Sequence, residues 1–305
     1  MFKKARLKLT LFYSLAFLSF FWLADAALYL LVSQALGGDP ALLKFRDALL
    51  LLNVTLIFIV PFLAWFFTSL ALQPVQEIHE TQKTFVSDVS HELRTPLSIL
   101  GNEIEVALRK NRSTTFYKQV LVSNKQEIER LSALVDNLLF LARDGGEGQK
   151  AALESVDITD VAGGVINLLK DKAVAKRIRL SLQPAKEPVA VWGQPLLLKQ
   201  LLLNIIDNAI NYTPSGGSVE VNLGTRGRSA QIRVKDSGIG IAKQERAQIF
   251  NRFYRAGSTR SRINGYGLGL TISQSIARLH RGEIRVDSRL GKGSVFTIVL
   301  PRALG

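Results

Sequence analysis

From Leu9 to Leu36 the chain is apolar for 28 residues with one charge, Asp25, and from Ala48 to Leu72 it is apolar for 25 with none. Each run exceeds the ~20 residues that carry a helix across ~30 Å of hydrocarbon. The pattern predicts a membrane hairpin over residues 1–72, with spans at 9–36 and 48–72 and a short loop at 37–47. A cleavable leader has an apolar stretch only about half as long as the first run. Beyond Gln73 the period changes. Val86, Ser90, Leu93, Leu97, Leu100, Ile104 and Ala107 step by 4 and 3. After a polar break at Lys110–Thr115, so do Tyr117, Leu121, Asn124, Ile128, Leu131, Val135, Leu138 and Ala142. Two heptad helices joined by a turn make an α-helical hairpin over 73–143. Alone it cannot hide both stripes, which predicts pairing of two copies into a dimeric four-helix bundle. Asn124, on the seam, is expected to set register.

Residues 144–152, Asp-Gly-Gly-Glu-Gly-Gln-Lys-Ala-Ala, read as a flexible linker. From 153 to 305 helical and strand patterns mix. Helices are expected over Asp157–Lys176, from Gln194-Pro195 to Asn211, and over Thr271–Leu279. Strands are expected over Ile178–Gln183, Val189–Trp192, Ser218–Leu223, Ala230–Val234, Glu283–Val286 and Ser294–Leu300, in an α+β arrangement with antiparallel pairs.

Charge refines this picture. The 305 residues hold 39 Lys+Arg against 25 Asp+Glu, a net +14, and no Cys, which excludes disulfides, thiolate metal sites and a Cys nucleophile. Lys3, Lys4, Arg6 and Lys8 precede the first span, so the positive-inside rule predicts a cytoplasmic N-terminus, an outside loop and a cytoplasmic location for everything after Leu72. The 37–47 loop is too short to fold into a ligand-binding domain. A stimulus is therefore expected within the bilayer, on the loop or through a membrane-protein partner. Asp25, an ionisable group in a span, is in equal measure a functional candidate or a residue that sits near the outer interface or contacts a partner helix. Asn53 and Pro61 read as packing and kink features. No nucleic-acid motif accompanies the basic charge.

His91 lies about 130° from the centre of the first stripe and so faces water. Glu92 adjoins it, Thr95 lies one turn on, and Pro96 removes a backbone hydrogen bond and is expected to bend the helix there. A neutral imidazole is a competent nucleophile near pH 7, and a neighbouring carboxylate can take its proton. Phe85-Val86-Ser87-Asp88-Val89-Ser90-His91-Glu92-Leu93-Arg94-Thr95-Pro96-Leu97 resembles the H-box of bacterial sensor histidine kinases. The resemblance implies that His91 accepts the γ-phosphoryl group of ATP, that Glu92 acts as base and that Thr95 positions water for dephosphorylating the partner. His79 and His280 match no such motif and read as ordinary.

Three further clusters are weak singly. Asn204-Ile205-Ile206-Asp207-Asn208 places two amides one helical turn apart, a neutral oxygen set suited to Mg2+. Asp236-Ser237-Gly238-Ile239-Gly240 follows a strand and offers a carboxylate to an exocyclic amine. Gly265-Tyr266-Gly267-Leu268-Gly269-Leu270 opens a helix, where glycines make a phosphate site. In this order they resemble the N, G1 and G2 boxes of the same kinases, with Phe250-Asn251-Arg252-Phe253-Tyr254-Arg255 as the F box.

The resemblance implies a Bergerat α/β sandwich, the ATP-binding domain shared with gyrase, Hsp90 and MutL. On it, Asn208 holds magnesium with Asn204 assisting, Asp236 recognises adenine, and Tyr212 packs by the nucleotide. Gly238, Gly240, Gly265, Gly267 and Gly269 shape pocket and lid, while Arg252, Arg255, Arg260 and Arg262 make the lid basic. It further implies a multi-pass homodimer in the bacterial inner membrane that passes its phosphoryl group to a response-regulator receiver domain, with ATP and Mg2+ as cofactors and no nucleic acid. Two departures stand out. Asn211 replaces the usual Lys, and the 18 residues between Leu72 and His91 are too few for a HAMP relay domain. A phosphatase-dominant sensor and an ATPase without phosphotransfer remain alternatives.

Overall fold

The computed structural model describes residues 2–36, 40–142, 153–185, 187–255 and 266–303. They fall into two compact units, Met1–Val89 and Ser90–Gly305.

The first unit contains α1 (Phe2–Leu36) and most of α2 (Ala41–Leu108). Its segments Lys4–Ala35 and Ala41–Gln76 are long and apolar enough to cross a bilayer. They expose large apolar side chains such as Trp22, Leu51 and Phe58, as suits helices solvated by lipid rather than by a protein core. Helix α2 begins at Ala41, so most of the expected 37–47 loop is helical, and it continues unbroken through Pro61. Asn53, read from sequence as a packing residue, donates from Nδ2 to Asp25 Oδ2 at 2.6 Å, so the one acid of the first span has an amide partner on the second. In a membrane such a bond contributes about 1 kcal/mol. Nearer the N-terminus, Arg6 stacks over Trp65.

In the second unit the end of α2 and α3 (Thr114–Ala142) form the expected hairpin, tied by Ser123 Oγ donating to Glu103 Oε1 at 3.0 Å. The two stripes split in a regular way. Leu93, Leu100 and Ala107 on α2, with Asn124, Leu131 and Leu138 on α3, are half-buried or buried. The alternate positions Leu97, Ile104, Leu121, Ile128 and Val135 stay exposed. The expected bend at Pro96 does not interrupt the helix: α2 is helical through it, and Pro96 is buried.

The α/β module follows as β1 (Glu154–Asp157), α4 (Ile158–Ala175), β2 (Arg179–Gln183), β3 (Ala190–Gly193), α5 (Pro195–Tyr212), β4 (Ser218–Arg226), β5 (Ser229–Asp236), α6 (Gly269–Leu279), β6 (Glu283–Ser288) and β7 (Ser294–Pro301). A five-stranded sheet runs β2-β4-β5-β7-β6. Alternate residues of β4, β5 and β7 (Val219, Val221, Ile232, Val234, Phe296, Ile298) join Leu201, Ile205 and Ile206 of α5 and Ile272 and Ile276 of α6 in one core. Burial of one face only gives the two-layer sandwich expected.

Two details differ from the sequence reading. Strand β1 was not foreseen, because Glu-Ser-Val-Asp has one apolar residue and no alternation; it pairs antiparallel with β3, and its last residue, Asp157, caps α4 by accepting from Thr159 N–H at 2.7 Å. The β2–β4 pair is parallel, not antiparallel, because β3 and α5 intervene and supply the crossover that parallel pairing needs.

His280, at the end of α6, is buried and holds two backbone groups. Nδ1–H donates to the Ile276 carbonyl at 2.8 Å, and Nε2 accepts the Gln194 N–H at 3.1 Å. Burial holds its pKa below the ordinary value of 6.5, partly offset by the Ile276 bond. A proton on Nε2 would remove the acceptor that holds Gln194 at the start of α5. Because the folded pKa lies below the unfolded one, the contribution is complete above about pH 6.5 and is lost as pH falls toward the folded value. The full chain in detergent is expected to show a lower thermal midpoint at about pH 5.5 than at about pH 7.5 because of this group, and His280→Asn is expected to flatten that slope.

Candidate functional site

Helix α5 is buried along its length on its Leu and Ile face, and its Asn204, Asn208, Asn211 and Tyr212 line a cavity of about 210 Å³. The opposite wall comes from Asp236, Ile239, Gly240, Ser294 and Phe296, and the rim from Tyr254, Arg255, Tyr266, Gly267 and Gly269. Asp236 is the last residue of β5 and only 6% exposed. Its Oδ1 accepts two backbone N–H groups, Gly238 at 2.8 Å and Ser294 at 3.2 Å. Burial raises its pKa, and those two bonds oppose the rise.

Glycine is required at two points of this frame. Gly240 has φ +69°, and a Cβ there would lie 1.9 Å from the Arg289 carbonyl oxygen. Gly267 also has φ +69°, and its Cβ would meet Phe253 and Tyr254 backbone at 2.8 Å. Phe253 itself is held at φ 59° and donates its N–H to the Gly267 carbonyl at 3.1 Å, a backbone strain maintained by its surroundings. Asn204 Nδ2 donates to the Gly269 carbonyl at 3.3 Å, tying α5 to the start of α6.

Among the predicted site residues, Asn204, Asn208, Tyr212, Asp236, Gly240, Arg255, Gly267 and Gly269 line this one cavity. Gly238 and Arg252 are not among its lining residues. Gly238 acts on the wall indirectly, through its bond to Asp236. Gly265, Arg260 and Arg262 lie outside the described residues. The sequence reading missed Asp207, Asn211, Tyr266, Ser294 and Phe296 as wall residues. The run Gly291-Lys292-Gly293-Ser294 before a strand is the signal that could have drawn attention to Ser294.

His91 is exposed on the hairpin, Glu92 is half-buried beside it, and Thr95 Oγ1 donates back to the His91 carbonyl at 3.4 Å. Tyr266 relates hairpin and cavity: it lines the cavity, and its phenol pKa is raised by burial first and also by the carboxylates of Glu127 on α3 and Glu92, against the opposing charge of Arg130. Lys176 of α4 donates to the carbonyls of Ile210 and Asn211 near the end of α5 at 2.8 and 2.6 Å. Its pKa is lowered by burial and by neighbouring Lys172, and Asp207 acts the other way.

Comparison with known proteins fits this geometry. Residues 81–147 match the His Kinase A (phospho-acceptor) domain, and residues 193–304 match the histidine kinase-, DNA gyrase B-, and HSP90-like ATPase family. A phospho-acceptor hairpin joined to such an ATPase module defines the histidine-kinase class. The sensor histidine kinase RppB of Synechocystis sp. is 38% identical over 245 residues, 80% of this chain and 54% of that protein. The sensor protein kinase PmrB of Pseudomonas aeruginosa is 37% identical over 235 residues, 77% of this chain and 48% of that protein. The full-length ShkA structure in complex with AMPPNP superposes with a TM-score of 0.56 at 27% identity, covering 73% of this chain and 46% of that one. The chain belongs to the two-component sensor histidine kinase family. It spans about half the length of the curated relatives it matches.

Proposed function

We propose that this chain is a membrane-bound protein-histidine kinase that phosphorylates His91 from ATP and passes the group to an aspartate of a response regulator, which it also dephosphorylates. The observation that carries this reading is the pairing, in one compact unit, of a water-facing His91–Glu92 dyad with an open cavity whose buried acid, Asp236, is preset by two N–H donors.

Adenine takes its place at Asp236, and the triphosphate lies toward α5 and the Arg255 rim. The neutral carboxamides of Asn208 and Asn204 suit Mg2+, which when bound neutralises phosphate charge. A lone pair of the His91 imidazole attacks the γ-phosphorus as its bond to the β-phosphate oxygen breaks, releasing ADP. The ring's remaining N–H proton passes to Glu92, leaving a phosphoramidate. The phosphoryl group then moves from nitrogen to a receiver carboxylate. Thr95 positions water for the reverse duty.

The exposed halves of the two hairpin stripes support a homodimer with a four-helix bundle. The domain limits we propose are 1–72, 73–143, 144–152 and 153–305. The lysine-rich start supports a cytoplasmic N-terminus, a multi-pass placement in the bacterial inner membrane and cytoplasmic catalytic domains. A stimulus in the bilayer or from a membrane-protein partner fits the short loop.

The test is incubation of the full chain in detergent with γ-labelled ATP and Mg2+. Label that survives alkali, disappears in acid and moves to a receiver domain is the expected result. Phosphate release without any protein-bound label would replace the kinase with an ATPase that does not transfer.

A further inference from the structure

One charged side chain of the cavity wall is held from outside the cavity. Asp207 lies between Ile206 and Asn208 on α5 and lines the cavity. A carboxylate there faces a polyanionic ligand and repels it. Both its oxygens are engaged. Asn211, one turn on, donates from Nδ2 to Oδ2 at 2.9 Å. Lys172, on the neighbouring helix α4, pairs its ammonium with Oδ1. The amide supplies a hydrogen bond without charge, so the neutralising charge comes from Lys172 alone of these two partners. Lys176, a turn further along α4, is committed elsewhere, to the last carbonyls of α5, where an ammonium complements the helix C-terminus.

We propose that Lys172 is a positioning residue for the nucleotide's phosphates: by neutralising Asp207 from behind, it lets a wall containing a carboxylate accept a triphosphate. Lys172 does not line the cavity, and its effect passes through Asp207. The inference deepens the ATP reading and rests on it. It also accounts for Asn211 at a position where a cation is expected: the charge is present, but it arrives from α4 rather than from α5.

The electrostatic route makes a prediction that a structural role does not. Adenosine, which has no phosphate, is indifferent to the charge of Asp207. ATP is not.

The experiment uses the full chain in detergent, with displacement of a fluorescent ATP analogue by Mg-ATP or by adenosine. Lys172→Met is expected to weaken Mg-ATP about 10-fold, equivalent to about 1.4 kcal/mol, and to leave adenosine unchanged. Lys172→Arg, which returns the charge, is expected to recover most of the loss. So is the pair Lys172→Met with Asp207→Asn, which removes the charge that needed neutralising. Unaltered Mg-ATP affinity in Lys172→Met overturns the proposal. A parallel loss of adenosine overturns it in favour of a packing role, and failure of Asp207→Asn to rescue overturns it in favour of a direct phosphate contact. A wild-type chain that binds neither compound refutes the nucleotide reading itself, and the Lys172 inference falls with it.

Discussion

His91→Gln is expected to carry no acid-labile phosphate at all while binding Mg-ATP as the wild type does. The side chain at position 91 is exposed, so the substitution opens no cavity and strands no buried polar group. Such surface changes stay within about 0.5 kcal/mol of wild-type stability. What is lost is the nucleophilic nitrogen, for which a carboxamide has no substitute because its nitrogen lone pair is delocalised. Glu92→Gln behaves differently. The nucleophile survives and only the proton acceptor is removed, so the rate of label incorporation is expected to fall by roughly 10²–10⁴-fold without vanishing. Glu92 is half-buried, and its charge is felt at Tyr266 on the cavity rim. The Gln variant is therefore expected to lower the phenol pKa of Tyr266, readable by ultraviolet titration against a Tyr266→Phe control. Equal labelling of wild type and His91→Gln would remove His91 from the reaction.

The parts of this arrangement that sequence made legible are local. Helix and strand periods marked the two long apolar segments and the hairpin stripes. Order along the chain made the three polar and glycine clusters meaningful, and the cavity does gather Asn204, Asn208, Asp236, Gly240, Gly267 and Gly269. What escaped depends on side chains that meet across distance or on strands too short to alternate. Lys172 and Asp207 are 35 residues apart and lie on different helices, a meeting set by α4–α5 packing that no local spacing encodes. Ser294 closes on Asp236 from 58 residues away, through the antiparallel register of β5 and β7. The Asp25–Asn53 bond escaped similarly: each residue was noticed, but their levels on the two helices depend on how tightly α2 begins after Pro40. The splitting of each stripe into a covered and an exposed half is likewise a matter of rotation about the helix axis, which a heptad leaves undetermined until a partner helix is placed.

Asp236→Asn is expected to lose ATP on the order of 100-fold while keeping the fold, and the reason lies in how the carboxylate is held. Oδ1 receives the Gly238 and Ser294 N–H groups. An asparagine can set its carbonyl oxygen in that position and satisfy both, so no buried donor is orphaned. Its NH2 group then occupies the position of Oδ2. There it presents a donor to the adenine amine, itself a donor, and two N–H groups meet where an acceptor stood. Losing a charge-assisted bond and gaining this clash amounts to about 2.7 kcal/mol. The thermal midpoint is expected to stay within about 2 °C of wild type, because the two backbone donors remain paired. Asp236→Ala gives the contrast: it loses adenine and orphans both N–H groups in a buried position, so affinity and stability fall together, the second by about 1–3 kcal/mol per donor. Nucleotide displacement and thermal melting on the three proteins separate the cases. If Asp236→Asn retains wild-type affinity, the base is not read at this carboxylate, and adenine must sit elsewhere in the cavity.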